Sequence, residues 1–219
     1  MKTAATWPLL CVLIFLPPAV SAGEESVPGA WEPVSAGPAT TWTAPMMAKG
    51  TFSVQPFFYY NRTRAWFDDD GNSSALPEGD KQTQFQQYFF FQYGITDIWE
   101  VSVQALFQQT CLTQGGAKAH DQGVGDSYLF TRYKLAGERG WLPEATGLLQ
   151  LKVPTGKYQH EDPDKLGADL TGTGSWDPGF GINLTKRLKP FILHGDVIAG
   201  FPGEVSVNGV KTRYANYFN

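Results

Sequence analysis

Apolar and polar residues alternate with a period of two in seven segments of this chain. In the segment 99–108 every second residue from Trp99 is apolar, and only Leu106 interrupts the polar series. Because successive side chains of a β-strand point to opposite faces, the pattern predicts a strand with one apolar and one polar face. Segments of about ten residues with this alternation are typical of the strands of transmembrane β-barrels.

Six further segments show the same alternation. They span residues 51–65, 82–93, 126–135, 145–153, 176–185 and 191–201. The connections between the seven segments run long, short, long, short, long, short; the long ones include 68–74, 112–123 and 157–171. Outer-membrane barrels have long external loops and short periplasmic turns, whereas a soluble sandwich has no reason to keep that order. The sequence therefore predicts an all-β fold, an antiparallel up-and-down transmembrane β-barrel.

The chain is predicted to have three parts. Residues 1–22 combine Lys2, an apolar core at 9–16 and the small-residue site Val20-Ser21-Ala22, which is the pattern of a cleaved signal peptide. Residues 23–48 are rich in Pro, Ala and Gly and are predicted to be a flexible periplasmic leader without a fold of its own. Residues 49–219 then form the barrel domain. Export through a signal peptide and a barrel pattern together predict location in the outer membrane.

The end of the chain departs from the barrel pattern. A would-be eighth strand begins near Tyr214 and stops at Asn219, whereas a membrane-spanning strand needs about 9–11 residues. Seven full strands would leave an open edge in lipid, where each unpaired backbone group costs several kcal/mol. We therefore expect seven strands plus a partial eighth to be the front part of a larger barrel.

The charge and residue composition exclude several classes of protein. Removal of the signal takes away Lys2 and no acidic residue, so the net charge changes from −4 to −5. A chain with this charge and no basic block is not expected to bind nucleic acid. Cys111 is the one cysteine beyond the signal, which excludes an intrachain disulfide. Beyond the signal there is no apolar run of about 18 residues or more, which excludes a helical membrane protein.

The polar faces of the strands are the candidate functional surface, because they would line the lumen of a barrel. A polar interior can admit water and a solute, and its charges set selectivity. The alternative is that these groups only hydrogen-bond one another across a packed interior. The predicted lumen-lining residues are Gln84, Gln86, Glu100, Gln104, Gln108, Asp126, Arg132, Lys134, Gln150, Lys152, Asp177, Asn183, His194 and Asp196.

Amphipathic rings near the predicted strand ends are expected to lie at the two membrane interfaces. These residues are Trp66, Tyr93, Trp99, Trp141 and Trp176.

Catalytic and metal-binding chemistry has little support in the sequence. His194 and Asp196 place an imidazole and a carboxylate on one strand face, but no serine motif accompanies them as a nucleophile. The acidic run 160–164 lacks the spacing of an EF-hand loop. We expect no enzyme activity, no cofactor and no metal site.

Four short motifs resemble segments of the outer-membrane proteins grouped as the "MetA-pathway of phenol degradation" family. They are Tyr93-Gly94-Ile95-Thr96-Asp97, Gly123-Val124-Gly125-Asp126, Leu151-Lys152-Val153-Pro154-Thr155-Gly156 and Gly172-Thr173-Gly174. The resemblance implies a barrel of about a dozen strands, an outer-membrane location and passage of small, often hydrophobic compounds. It supplies no catalytic residues.

Three functions remain open from the sequence. The first is an outer-membrane channel for passive passage of small solutes, including hydrophobic or aromatic ones, with membrane lipid and the barrel-assembly machinery as partners. The second is an exported soluble β-barrel that binds a hydrophobic ligand, with the aromatic residues facing inward. The third is an outer-membrane lipid-modifying enzyme that uses His194 and Asp196.

Overall fold

A computed structural model describes residues 41–68 and 70–218 of the chain. These residues form thirteen β-strands and one short 3-10 helix, Pro163–Lys165. None of the described segments is a helix with the length and hydropathy needed to span a bilayer. The strands are β1 (Phe52–Thr63), β2 (Ala65–Phe67), β3 (Ser73–Ala75), β4 (Lys81–Thr96), β5 (Trp99–Gln114), β6 (Ala117–Val124), β7 (Ser127–Ala136), β8 (Glu144–Val153), β9 (Asp177–Leu188), β10 (Phe191–Gly200), β11 (Glu204–Val207), β12 (Val210–Arg213) and β13 (Tyr217–Phe218).

The main sheet is an antiparallel half-barrel with the strand order β1-β4-β5-β7-β8-β9-β10-β13. Strand β6 pairs with the far end of β5, above β7. The seven predicted strands are therefore confirmed as β1, β4, β5, β7, β8, β9 and β10. The partial eighth strand is present as β13, whose two residues pair with Ala199 and Gly200.

The two faces of the sheet follow the predicted alternation. Apolar residues on the convex side are exposed, for example Phe180 at 56% and Val197 at 65%. Polar residues in the opposite register are buried on the concave side, and Glu100 and Asn183 are both 0% exposed. Exposure of large apolar side chains along several strands is the reverse of what a water-soluble sheet shows.

The aromatic residues predicted for the membrane interfaces are exposed and lie at both ends of the sheet. Tyr93, Trp99 and Trp141 lie near the short turns, and Trp66 and Trp176 lie near the long loops.

The prediction that residues 112–123 form a loop is wrong. Strand β5 continues to Gln114 and β6 returns antiparallel to it, with Gly115 and Gly116 at φ 57° and 86° in the turn between them. Adjacent glycines are typical of such two-residue hairpin turns, since both positions need φ above zero. The segment lacks strong apolar alternation, which explains why the periodicity did not reveal it. Two smaller hairpins, β2–β3 and β11–β12, lie within two other predicted loops.

Residues 41–48, the described part of the predicted leader, contain no helix or strand. These residues pack against the concave face, and Ala44 is 0% exposed. Their composition gives no hydrophobic periodicity, so only the contacts described below fix their position. The predicted signal peptide at 1–22, the leader residues 23–40 and Asn219 lie outside the described residues.

Candidate functional site

The concave face of the sheet brings the predicted lumen residues to one side of the molecule. All fourteen are buried or half-buried. Hydrogen bonds and ion pairs join many of them into three groups: a glutamine ladder, an ion pair under residues 41–48, and a second charge cluster near the long loops. The glutamine ladder includes Asn61, Gln86 and Gln108, with Asn61 Nδ2 3.0 Å from Gln86 Oε1 and Gln86 Nε2 3.5 Å from Gln108 Oε1. Whether solutes pass along these residues stays a prediction.

Residues 41–48, here called the inner segment, are bonded to strands on both sides of the concave face. The Ala44 N–H donates to Thr185 Oγ1 at 2.9 Å, and Thr146 Oγ1 donates to the Ala44 carbonyl at 2.6 Å. The Met47 N–H donates to Glu100 Oε2 at 2.7 Å. The segment thus crosses the interior from β8 and β9 to β5.

Glu100 and Arg132 form a buried ion pair under the inner segment. The side chains are 0% and 3% exposed, and Arg132 Nη2 lies 2.7 Å from Glu100 Oε1 and 2.9 Å from Oε2. Arg132 Nη1 also donates to the Thr43 carbonyl at 2.8 Å. Gln92 Nε2 and Ser102 Oγ donate to Glu100 Oε1, each at 3.1 Å. Every polar atom of the carboxylate therefore has a partner, which a buried charge requires.

Trp42 packs in an aromatic group on the concave face. Its ring centroid lies 5.2 Å from that of Phe90 and 4.9 Å from that of Phe130. The Arg132 guanidinium carbon is 5.1 Å from the Trp42 ring centroid, within the range of a cation–π contact. The interior is therefore partly apolar, because Phe90, Phe130, Leu148 and Ile198 form an apolar cluster there. These four residues occupy positions in the polar register of their strands, and this sequence signal could have revealed the apolar cluster.

A cavity of about 780 Å³ lies beside Trp42 on the concave face. Its lining mixes aromatic rings with amides and hydroxyls; among the lining residues are Phe57, Tyr59, Gln86, Tyr88, Gln104, Tyr128, Gln150 and Tyr217. Such a lining can bury an apolar solute and offer hydrogen bonds at the same time.

Asp126 joins three of the glycine-containing motifs identified in the sequence. Its Oδ1 accepts from the Gly156 N–H at 3.1 Å, and its Oδ2 accepts from the Thr173 N–H at 2.9 Å and from Thr173 Oγ1 at 3.0 Å. Gly156 and Gly172 meet so closely that a Cβ on Gly156 would lie 2.7 Å from Gly172 Cα. Only glycine fits such an approach. The 154–176 connection is thus drawn onto the end of the sheet.

Lys152 offsets one of the two negative charges of this cluster. Its Nζ is ion-paired with Asp177, lies 3.6 Å from Asp126 Oδ2, and donates to Thr173 Oγ1 and to Ser175 Oγ. The group of five side chains is therefore a structural polar network that anchors the long loop, as well as part of the inner wall.

Replacement of Asp126 by Ala is expected to release the 154–176 connection. The change removes the acceptors of two backbone N–H groups and one hydroxyl, each of which then costs about 1–3 kcal/mol if it stays buried and unpaired. We expect faster trypsin cleavage of the folded protein after Lys157 and Lys165. The control is Asp164→Ala, which changes an exposed carboxylate in the same connection. Equal cleavage rates in the two variants would contradict this role of Asp126.

An ion pair between Lys157 and Asp169 closes the middle of the 154–176 connection. Asp169 also accepts from the Asp162 N–H at 3.1 Å. Burial alone would raise the pKa of Asp169, but the hydrogen bonds from Lys157 and Asp162 outweigh it and the pKa lies below its ordinary value of 3.8. The Asp169 hydrogen bond in turn raises the pKa of Lys157.

This pair predicts acid-induced loosening of the loop. Because the pKa of Asp169 is lower in the folded loop than in an unfolded chain, its stabilising contribution is present above pH 3.8 and is lost as pH falls through the lowered pKa. Hydrogen exchange of residues 157–171, corrected for the intrinsic rate, should increase only in the acidic range. Asp169→Asn should exchange fast at neutral pH as well. Slow neutral exchange in that variant would contradict the prediction.

His194 lies beside a buried hydroxyl on the concave face. His194 Nδ1 lies 3.0 Å from Thr185 Oγ1, and Thr185 is itself 1% exposed and bonded to the inner segment. Within residues 41–68 and 70–218, no three His, Cys, Asp or Glu side chains are placed to hold a metal ion.

Comparison with known proteins supports the fold. No protein-family model matches the chain. Among solved structures it is similar to the COG4313 outer membrane channel from Pseudomonas putida F1, with a TM-score of 0.58 and 17% sequence identity. The fold is that of an outer-membrane channel barrel. The match covers 78% of this chain and 62% of that channel, so the chain spans less than two thirds of its length. The resemblance to the MetA-pathway family stays a prediction.

Proposed function

We propose that this protein is an outer-membrane β-barrel that allows passive passage of small solutes. The observation that carries the proposal is the arrangement of the two faces. Large apolar side chains are exposed on the convex side of seven neighbouring strands, while the buried charges of those strands lie on the concave side. Lipid is the environment in which this arrangement is stable, because only then is the exposed apolar surface shielded from water.

The same arrangement favours the channel over a soluble ligand-binding barrel. A soluble barrel would turn its apolar strand faces inward and expose the polar ones. Phe52 and Phe191 are instead both 68% exposed, and Leu149 is 60% exposed. The lipid-modifying enzyme has no comparable support, because His194 contacts the buried Thr185 instead of an accessible nucleophile.

The solutes we propose are small and apolar or aromatic. The support is the 780 Å³ cavity, where Trp42, Tyr88 and Phe90 offer ring faces and Gln86 and Gln104 offer amides. Movement would be diffusion along this lining, with no chemical step and no cofactor. The proposed partners are outer-membrane lipid, the solute, and the barrel-assembly machinery that would insert the exported chain.

Cell fractionation with semi-native electrophoresis tests the proposal. We expect the chain in the outer-membrane fraction, with a mobility that changes on boiling. Planar-bilayer recording of the purified protein should then show discrete conductance steps. Recovery as a soluble periplasmic protein would contradict the membrane location, and membrane insertion without conductance would contradict the channel.

Replacement of Trp42 by Ala is expected to raise single-channel conductance. The Trp42 ring lies against Phe90 and Phe130 in the interior, and its removal widens the space next to the cavity. The matched control is Trp141→Ala, because Trp141 is 83% exposed in the turn between β7 and β8. Planar-bilayer recording should show a change for the first variant only. An unchanged conductance in the Trp42 variant would show that Trp42 does not limit passage.

A further inference from the structure

Basic side chains lie on the convex face of β1, β4, β5 and β6, next to the long loops. The pairing registers of these four strands have no shift within residues 52–63, 81–94, 107–114 and 117–124. Residues that lie opposite one another in a cross-strand row therefore point to the same side of the sheet. The last aromatic row on the convex side contains Tyr60, Phe85, Gln109 and Gln122. The next two rows on that side are Arg62-Thr83-Cys111-His120 and Lys81-Thr113-Lys118. We call these two rows the basic rows.

The cations of the basic rows have no carboxylate partner in the described part of the chain. Arg62, Lys81 and Lys118 are exposed, and none has an ion pair within residues 41–68 and 70–218. The one acidic residue of β6, Asp121, lies in the opposite register and is 3.8 Å from Lys165. The two rows therefore contain cations and no carboxylate; Asp80, which precedes Lys81, accepts a hydrogen bond from the Gly115 N–H at 2.8 Å.

At the opposite end of the sheet, a strand cation on the convex side has a carboxylate partner. Lys186 of β9 is in register with the exposed Leu193 and so points to the convex side, near the short turns. Its ammonium is neutralised by Glu138 at 2.6 Å. This convex-facing strand cation at the short-turn end is therefore paired, whereas the cations of the basic rows are not.

The height of the basic rows matches the headgroups of a membrane. Arg62 and His120 lie two residues beyond Tyr60 and Gln122, which is about 7 Å along a strand. Interfacial aromatic residues sit at the edge of the apolar layer, so side chains one or two rows further reach the polar headgroups. Long loops face outward in outer-membrane barrels, which places these rows at the outer leaflet.

We propose that the basic rows bind the phosphate groups of an outer-leaflet lipid, a phosphorylated glycolipid of the lipopolysaccharide class. This inference rests on the membrane location proposed above. The Arg62 guanidinium has the fork geometry that binds phosphate through two N–H groups, and Lys81 and Lys118 supply point charges. Lys81 and Lys118 are separated by two strand spacings, about 10 Å, a separation that suits a headgroup with more than one phosphate.

The test uses the full chain inserted into phosphatidylcholine vesicles with and without lipid A, the phosphorylated anchor of lipopolysaccharide. Cys111 lies in the first basic row and is free and exposed, so an environment-sensitive dye attached there reports local lipid binding. The urea midpoint of unlabelled protein gives a second measure, because a ligand of the folded state raises it. We expect lipid A to change both quantities, and added salt to reduce the effect.

The decisive variant carries Arg62→Gln, Lys81→Gln and Lys118→Gln. It should require about tenfold more lipid A, or more, for the same response, because each surface cation contributes measurably to the attraction of anionic lipid. The matched control carries Lys49→Gln, Arg139→Gln and Lys189→Gln, which removes the same charge at the short-turn end and should respond like the native chain.

The outcomes separate this inference from the proposed function. A native chain that inserts and is heat-modifiable but does not respond to lipid A would overturn the inference alone. Equal responses of the two triple variants would also overturn it. Failure of the native chain to insert into any vesicle would overturn the membrane location and, with it, this inference.

Discussion

Replacement of Arg132 by Met is expected to lower the free energy of unfolding by about 3–5 kcal/mol, the usual cost of leaving one member of a buried ion pair without its partner. Glu100 is 0% exposed, and Arg132 supplies three of the hydrogen bonds that its carboxylate accepts. The variant also loses the donor to the Thr43 carbonyl and the cation over the Trp42 ring. Urea unfolding of the membrane-inserted protein, followed by Trp fluorescence, measures the change.

The double variant Glu100→Gln with Arg132→Met is the matched control. It removes both charges and should be more stable than Arg132→Met alone, because no uncompensated carboxylate remains in the interior. Since both partners are bonded to the inner segment, the single variant should also expose residues 41–48 to protease. If the double variant is the less stable of the two, the cost of the single change does not come from the stranded charge.

Replacement of Leu149 by Arg is expected to destabilise the inserted protein by about 2–4 kcal/mol, the cost of a basic side chain near the middle of a barrel's lipid face. Leu149 lies on the convex side of β8, paired with Thr131 and Phe180, and is 60% exposed. In a water-soluble sheet the same change would replace an exposed apolar group by a charged one at almost no cost. The substitution therefore separates a lipid-facing from a water-facing surface.

Leu142→Arg serves as the control for Leu149→Arg. Leu142 is 45% exposed in the turn between β7 and β8, outside the strands. The substitution there should leave both the urea midpoint and the yield in the outer-membrane fraction unchanged. If the two variants have the same midpoint and yield, the convex face does not contact hydrocarbon.

The alternation of apolar and polar residues was sufficient to predict the strands and their two faces. All seven predicted strands are present, and Phe180 and Asn183 lie on the predicted sides of β9. The physical reason is local, because side-chain direction alternates along any extended backbone. Neighbouring strands must also place their apolar residues on the same face of the sheet. Such information is carried by each segment independently of the rest of the chain.

The alternation was not sufficient where a segment lies beyond the apolar layer. The β5–β6 hairpin continues beyond the aromatic row, and polar residues such as Thr113, Lys118 and His120 occupy its convex side, so the apolar alternation ends there. Only the adjacent Gly115 and Gly116 marked its turn. Its strands are held by backbone pairing from Phe107–Val124 to Gln114–Ala117, which sequence periodicity does not report.

The sequence by itself thus determined the strand pattern, the lipid-compatible convex face and the polar register of the interior. The tertiary structure alone decided what occupies that interior: the inner segment at 41–48, the pairing of Glu100 with Arg132, and the joining of Gly156 and Thr173 by Asp126. These contacts connect residues 30 to 141 positions apart. They depend on how the curled sheet brings distant strands together, and a period-two pattern contains no information about that distance.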